Sequence, residues 1–471
     1  MTTAIFWFRQ DLRLHDNPGL TLACKTHQKI IPLYINEMEP SLELGGAQHW
    51  WLHHSLISLK AALEKVHLDL FCFRAEPLTL LKQLIKTNKI DAVYWNRCYE
   101  PVISARDKHI KEELKSLGIT VISCNGSLLH EPWEVLNQGG SFFKVFTPYW
   151  RQCVRQMNMR PLMEVIDWPT LVPIKGEDIG DWNLLPQKPN WAKEFPLYWQ
   201  PGEQGAQLKL KEFLHHALEG YKEHRNEPAT SGTSRLSPHL HFGEISPQQI
   251  WTAVHEAMNQ PGCDLNSAQT FLSELGWREF SYNLLYHFPK LMTHNFKDQF
   301  DRFPWQNDES NLHKWQRGIT GYPLVDAGMR ELWVTGYMHN RVRMIVASFL
   351  TKHLMIDWRK GAAWFWDTLL DADLANNSAS WQWVAGSGAD ASPYYRIFNP
   401  ILQGEKFDPQ GEYVRRWIPE LKSVPSKWIH HPWDAPAHEL PITLGVDYPL
   451  PIVDHILARE VALASYQQIK G

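Results

Sequence analysis

The first part of the chain carries five apolar runs, "AIFWF", "IIPLYI", "LDLFCF", "DAVYW" and "TVISC", each five or six residues long. They show little polar alternation and are rich in β-branched and aromatic residues, the pattern of strands buried on both faces. Between them lie stretches with apolar positions at helical spacing: "AQHWWLHHSLISLKAALEKV", "PLTLLKQLIK" and "ISARDKHIKEELKSLG". Alternation of this kind predicts a doubly wound parallel sheet over residues 1–125. Residues 126–205 change character, being rich in Pro, Trp and Gly as in "DWPTLVPIKGEDIGDWNLLPQKPNW", and read as an inter-domain connection. From 206 to 471 the 3.6-residue period dominates, in "GAQLKLKEFLHHALEGYKEHR", "SPQQIWTAVHEAMNQ", "AQTFLSELGWREFSYNLLYHF", "VDAGMRELWVTGYMHNRVRMIVASFLTKHLM" and "GAAWFWDTLLDADLA". The expected architecture is thus an α/β N-terminal domain followed by a mostly α-helical C-terminal domain.

Composition changes this picture in one respect. With 471 residues, 44% hydrophobic and 21% charged, the chain is long enough for two or three globular domains. A net charge of -4 means that any nucleic-acid site must be a local basic patch. The anomaly is 23 tryptophans beside 20 phenylalanines and 15 tyrosines. An aromatic core explains most of them, yet so large an excess also suits stacking on flat ligands or electron transfer. The six cysteines show no metal-type spacing and read as reduced core residues of a cytoplasmic protein. No metal is expected. "MTTAIFWFRQDLRLHD" is a first strand, not a signal peptide, and no apolar run approaches membrane length. The turn after that strand lacks GxGxxG, which argues against a Rossmann NAD site.

Five stretches carry candidate chemistry. "GTSRLSPHLHFGEISP" offers hydroxyls, backbone N–H groups and Arg235 for a phosphate, although alone it is also an ordinary helix cap. "SELGWREF" sets Glu274 and Arg278 at i, i+4, the spacing of a surface ion pair, with Trp277 between them. In "GYMHNRVRMIVASFL", Asn340 and Met344 share a helix face. Arg341 and Arg343 there point roughly 200° apart, so one can face inward and needs an acid, with Asp371 and Asp373 as candidates. "DASPYYRIFNPILQGEKFDPQGEYVRRW" reads as a loop interleaving aromatics with cations, suited to phosphates and bases. "LLDADLANNSASWQWVAG" gathers acids, amides and two tryptophans within a short span.

These segments resemble the photolyase/cryptochrome family, in its bacterial cyclobutane-dimer branch. The likeness runs nearly end to end, through "WFRQDLRLHDN", "KVFTP", "GTSRLSPHLHFGEISP", "ELGWREF", "TGYPLVDAGMRELWVTGYMHNRVRM", "DWRKG" and "DADLANNSASWQWVAGSGADASPYYRIFNP". The resemblance implies that the helical domain binds FAD. Tyr221 and the run Thr233, Ser234, Arg235, Leu236 and Ser237 would hold its phosphates and ribose. Asp371 and Asp373 would flank the isoalloxazine and ribitol, Asn377 would face the reactive ring nitrogen, and Arg343 would pair with Asp371. Trp381, Trp358 and Trp305 would relay electrons to the surface, while Trp383 and Trp277 would stack on a lesion flipped from the duplex.

The implied reaction is light-driven repair of cyclobutane pyrimidine dimers: reduced FAD lends an electron, the ring opens and the electron returns, making the enzyme a carbon–carbon lyase. Glu274 would hydrogen-bond the dimer, with Asn340 and Met344 in the same pocket, and Arg225, Arg341, Arg396 and Lys406 would meet the DNA phosphates. Within the family, (6-4) photoproduct enzymes need two histidines on this helix. Here those positions are Asn340 and Met344, neither able to act as a general acid, and the adjacent His339 should face another way. A cryptochrome-type blue-light photoreceptor is the alternative in which the lesion pocket goes unused. A non-photochemical flavoprotein gives the pocket tryptophans no role. The family usually carries an antenna chromophore: a folate, a deazaflavin or another flavin. Its familiar folate contacts are replaced here by Val102, Ile103 and Thr293. The expected partner is UV-damaged DNA, bound by a monomer with no protein partner and no membrane.

Overall fold

The five apolar runs form a parallel sheet. In the computed structural model, β1 (Thr3–Phe8), β2 (Lys29–Asn36), β3 (Phe71–Arg74), β4 (Ala92–Asn96) and β5 (Thr120–Cys124) lie in the order β3-β2-β1-β4-β5. The structure describes residues 1–470 apart from 38, 40–42, 159 and 391–394. Every residue of β1 is buried, because helices cover both faces and each apolar side chain there leaves water, at about 1.5–3 kcal/mol apiece. The helices are α1 (Pro18–Thr26), α2 (Gly46–Glu64), α3 (Pro77–Asn88) and α4 (Pro101–Ser116). Three of these begin on proline, whose fixed φ and missing N–H suit a first turn. Asn17 and Glu76 cap two of them through their side chains.

The chain divides into two compact units that do not follow the spans 1–125, 126–205 and 206–471. The first comprises Met1–Trp191, Pro196–Glu219 and Ser234–Pro289. The stretch that reads as a connection contributes α5 (Phe146–Gln156) and the short strand β6 (Thr170–Leu171) to this unit. β6 pairs with Lys29 and Ile30 of β2, on which β3 pairs only from Leu33 onward. Two residues of strand inside a Pro-rich segment carry no periodicity, so only the pairing reveals them. The unit also holds α6 (Glu203–His216), α8 (Ser237–His241), α9 (Pro247–Met258) and α10 (Leu265–His287).

The second unit comprises Ala192–Phe195, Gly220–Thr233 and Lys290–Gly471. Its described elements are helical apart from an isolated bridge: α7 (Tyr221–His224), α11 (Glu309–Gln316), α12 (Pro323–Thr335), α13 (Asn340–Ser348), α14 (Trp358–Thr368), α15 (Leu374–Ala385), α16 (Pro400–Phe407), α17 (Glu412–Trp417) and α18 (His455–Ile469). The long run "VDAGMRELWVTGYMHNRVRMIVASFLTKHLM" is not one helix. Gly336, at φ 67°, ends α12 in a left-handed C-cap, and Leu370 packs where a Cβ would stand. A π-helical turn, Phe349–His353, follows α13. The Tyr/Arg-rich stretch expected to be a loop holds α16 and α17, with Asn399 capping α16 ahead of Pro400. Its residues 391–394 lie outside the described residues.

Candidate functional site

The crevice where a doubly wound sheet usually receives a ligand lies beyond β1 and β4. Arg9, the residue after β1, is held by side-chain contacts. Arg9 pairs with Asp107, Arg106 with Glu37 and Asp107, and the Arg9 guanidinium lies 4.9 Å from the Trp7 ring centroid. Elsewhere in this unit is a cavity of about 500 Å³, lined in part by Arg97, Glu131, Trp133, Arg160 and Gln248.

Glu274 and Trp277 lie on α10 of the first unit. Arg278, four residues on from Glu274, donates to the Ser127 carbonyl (2.7 Å) and lies 3.4 Å from Glu279. Trp277 is 36% exposed. One face of its indole is covered by Phe146, with centroids 3.7 Å apart and planes 8° from parallel, and Trp150 continues the stack behind Phe146. Gly276 permits this, since a Cβ there would stand 2.6 Å from the Trp150 ring. Phe146 falls within the "KVFTP" motif, but sequence reasoning gave it no role. Nothing local shows that α5 lies against α10.

In the run Ser234 to Ser237, Leu236 is buried and Ser237 is exposed at the start of α8. Arg235 holds φ 51°, a costly conformation for a side-chain-bearing residue, with its guanidinium 5.8 Å from the Trp199 ring centroid. Thr233 and Tyr221 belong to the second unit, where Tyr221 is buried at the head of α7 and Arg225 lies 5.6 Å from its ring centroid.

The second unit carries the remaining candidates, most of them on α13 to α16 or in the segments between these helices. Arg343 is the inward arginine. Its Nη2 donates to Asp371 Oδ2 (2.9 Å) and its Nε to the Met338 carbonyl (2.7 Å). Asp373 caps α15, accepting from the Asn376 N–H at 2.8 Å. Asn377 Nδ2 donates to the Ala362 carbonyl of α14 at 3.0 Å. Because a carbonyl demands a donor, this contact orients the amide and leaves Oδ1 as an acceptor. An acceptor held there suits a flavin ring whose reactive nitrogen carries a hydrogen. The Asn377 acceptor and the Arg343–Asp371 ion pair therefore fit FAD.

The tryptophans are graded by burial. Trp381 is 2% exposed and Trp358 is 1% exposed, while Trp305 is half-buried. All three belong to one apolar cluster. Trp358 donates to Asn295 Oδ1 (3.0 Å), Trp381 packs edge-on against Phe365 (centroids 5.0 Å), and Trp383 donates to the Asp390 carbonyl (3.2 Å).

Asn340 is exposed and Met344 half-buried on α13, with Arg341 between them in sequence. His339 is buried and caps the helix, its Nδ1 accepting from the Arg341 N–H. Among the described residues Arg341 pairs with no carboxylate. It donates to Asn226 Oδ1 (2.6 Å) and lies near Met344 Sδ (3.8 Å) and the Phe407 ring (4.6 Å). Lys406 lies 5.2 Å from the same ring centroid. Burial first, and then the like charges of Arg225 and Arg396, push the Arg341 guanidinium below its ordinary pKa. Four cations separated in sequence thus neighbour one another or the same ring, an arrangement that favours an incoming anion.

Comparison with known proteins decides the family. The family model described as the FAD binding domain of DNA photolyase matches residues 271–468, and that described as DNA photolyase matches residues 4–168. The chain belongs to the photolyase/cryptochrome family. It is 51% identical to the deoxyribodipyrimidine photo-lyase of Agrobacterium fabrum, across 99% of this chain and 98% of that protein. It is 40% identical to Cryptochrome-2 of Arabidopsis thaliana, across 97% of this chain and 77% of that protein. The crystal structure of a bacterial class III photolyase from Agrobacterium tumefaciens superposes with a TM-score of 0.97 at 50% identity, covering 100% of this chain and 98% of that one. The photolyase lineage is thus the nearer of these two branches, and the α/β-plus-helical architecture is that of the family. Among the described residues no helix is long and apolar enough to cross a membrane.

Proposed function

We propose that this chain is a deoxyribodipyrimidine photo-lyase that repairs cyclobutane pyrimidine dimers in UV-damaged DNA under blue light. The observation that carries the reading is α13. On this one short helix lie Asn340 and Met344, Arg341 bonded to Asn226, and Arg343 bonded to Asp371. Bound FAD, reduced and excited by light, supplies the electron that opens the cyclobutane ring and accepts it back.

The chain's own residues do the rest. Arg343 and Asp371 hold charge beside the ring system, and Asn377 offers its Oδ1 to the ring nitrogen. Asp373, Tyr221 and the run Thr233 to Ser237 hold the ribitol, phosphates and ribose. Glu274 hydrogen-bonds the flipped dimer, and Trp277 and Trp383 stack against it, Trp277 with its far face backed by Phe146. Trp381, Trp358 and Trp305 relay electrons from the surface. Arg225, Arg341, Arg396 and Lys406 neutralise phosphates, so binding weakens as salt rises. The enzyme works as a monomer in the cytoplasm. It carries a second, light-harvesting chromophore, whose identity as a folate, a deazaflavin or a flavin is read from the absorbance of chromophores released from the pure protein.

The test is repair by the reduced holoenzyme of two DNA substrates, one with a cyclobutane thymine dimer and one with a (6-4) photoproduct, in blue light and in the dark. Light-dependent restoration of the first alone is expected. Repair of the second overturns the assignment of Asn340 and Met344. Repair of neither, with full flavin content, indicates a photoreceptor.

A further inference from the structure

A lysine with no place in the scheme above lies at the far end of α13. The helix does not stop at Ser348 but widens into the π-helical turn Phe349–His353, a feature frequent at functional sites. In that turn Lys352 is only 1% exposed. Its Nζ donates to the Arg396 carbonyl (2.8 Å) and stands 3.8 Å from the centroid of the Tyr395 ring. No carboxylate partners it among the described residues. The same segment is tied a second time, by the Phe398 N–H donating to Ser348 Oγ (3.2 Å). Tyr395 in turn stacks on Tyr466 of α18, with centroids 4.5 Å apart.

As a stability device this is poor. Burying an ammonium against one carbonyl and one ring costs more than an apolar side chain of equal volume. Burial pushes Lys352 down to about 7. What the contacts accomplish is local: they fix the backbone of Tyr395 to Phe398. The exposed Arg396 side chain leaves from this backbone, and its charge reaches Arg341, as does that of Arg225. The like charges of Arg225 and Arg396 act against that of Arg341, so a tether on the Arg396 backbone keeps its side chain in place.

We propose that Lys352, assisted by Ser348, is a positioning residue for DNA binding: it does not touch DNA but clamps the Tyr395–Phe398 backbone so that Arg396 stays beside Arg341 and Arg225 as a preorganised phosphate site. The proposal rests on the assignment of these arginines to DNA phosphates.

The experiment compares the holoenzyme with its Lys352→Met, Arg396→Ala and double variants, binding a labelled duplex with one thymine dimer and the same duplex undamaged, over a range of salt. Lys352→Met is expected to weaken both complexes by about tenfold, since a phosphate contact reads no sequence. The slope of log affinity against log salt should fall by about one contact's worth. KM for repair should rise with kcat unchanged, and the thermal midpoint should not fall. The double variant should bind no more weakly than Arg396→Ala alone, because both remove the same contact. Lys352→Arg, which keeps the donor, should recover most of the affinity. Wild-type affinity and salt slope in Lys352→Met beside a weakened Arg396→Ala would overturn the proposal, as would additive losses in the double variant. A neutral Arg396→Ala would instead remove the phosphate assignment beneath it. Should Lys352→Met fail to fold, Ser348→Ala carries the test: a smaller loss of affinity with the same salt signature supports the clamp, and its absence refutes it.

Discussion

Gly361, in the first turn of α14, offers a quantitative test of how the flavin-side helices are spaced. A Cβ at this position would stand 2.2 Å from the Trp381 indole and 2.6 Å from Leu350, both buried. One residue on, the Ala362 carbonyl accepts the Asn377 amide of α15. The same close approach of α14 and α15 therefore seats the inner tryptophan of the proposed relay and orients the amide proposed to face the flavin. In an open helix, Gly→Ala would gain about 1 kcal/mol in propensity. Here the methyl meets a rigid indole, itself packed against Phe365 and Trp315, that cannot turn aside. Overpacking of this kind costs about 1–3 kcal/mol, and two simultaneous clashes place it at the upper end. The net expectation for Gly361→Ala is about 2 kcal/mol of destabilisation, or a fall of about 4–8 °C in the thermal midpoint for a unit of this size. The helices must part to accommodate the methyl, so flavin retention and the rate of flavin photoreduction by an external donor should fall together. Thermal unfolding, flavin absorbance and photoreduction in blue light measure the three quantities. A Gly361→Ala protein with wild-type stability and photoreduction would refute both the packing argument and the functional importance of this helix spacing.

Other outcomes follow from the same contacts. Asp371→Asn leaves the Arg343 guanidinium without its carboxylate and should cost about 3–5 kcal/mol with loss of flavin, read by urea titration and bound-flavin absorbance; Arg343→Met/Asp371→Asn should lose less stability than the two single losses summed. Phe146→Ala removes the ring behind Trp277 and should raise KM for damaged DNA several-fold with flavin content unchanged, whereas Phe146→Tyr should retain affinity; steady-state repair kinetics decide it. The second unit should also be acid-labile. Burial holds His353 down to about 3 and His430 down to about 4, both below the 6.5 of an unfolded histidine. Their neutral forms contribute fully above pH 6.5, and each contribution shrinks as pH falls below it, by on the order of 2 kcal/mol by pH 5. Urea midpoints across that range should drop steeply for the wild type and less so for His430→Gln.

The sequence by itself determined the parts of this protein that are local. Five apolar runs declared buried parallel strands because a strand covered on both faces has no polar positions to alternate. The 3.6-residue period placed most helices, and the unlike directions of Arg341 and Arg343 already required an acid for the inward one. Long motifs such as "DADLANNSASWQWVAG" carried the family. Tertiary structure decided what depends on residues distant along the chain. Asp371 rather than Asp373 receives Arg343, since Asp373 caps α15. Arg278 came to donate to the Ser127 carbonyl, 151 residues upstream, and Phe146 came to lie on Trp277. Residues 234–289, helical by pattern, belong to the compact unit that contains the sheet. No periodicity marks Lys352, because a π turn changes the register within a helix that otherwise reads as continuous. The distinction is physical: backbone propensity and face patterning act over a few residues, whereas ion pairs, ring stacks and anchored carbonyls form only where chain crossings bring partners within about 3–5 Å.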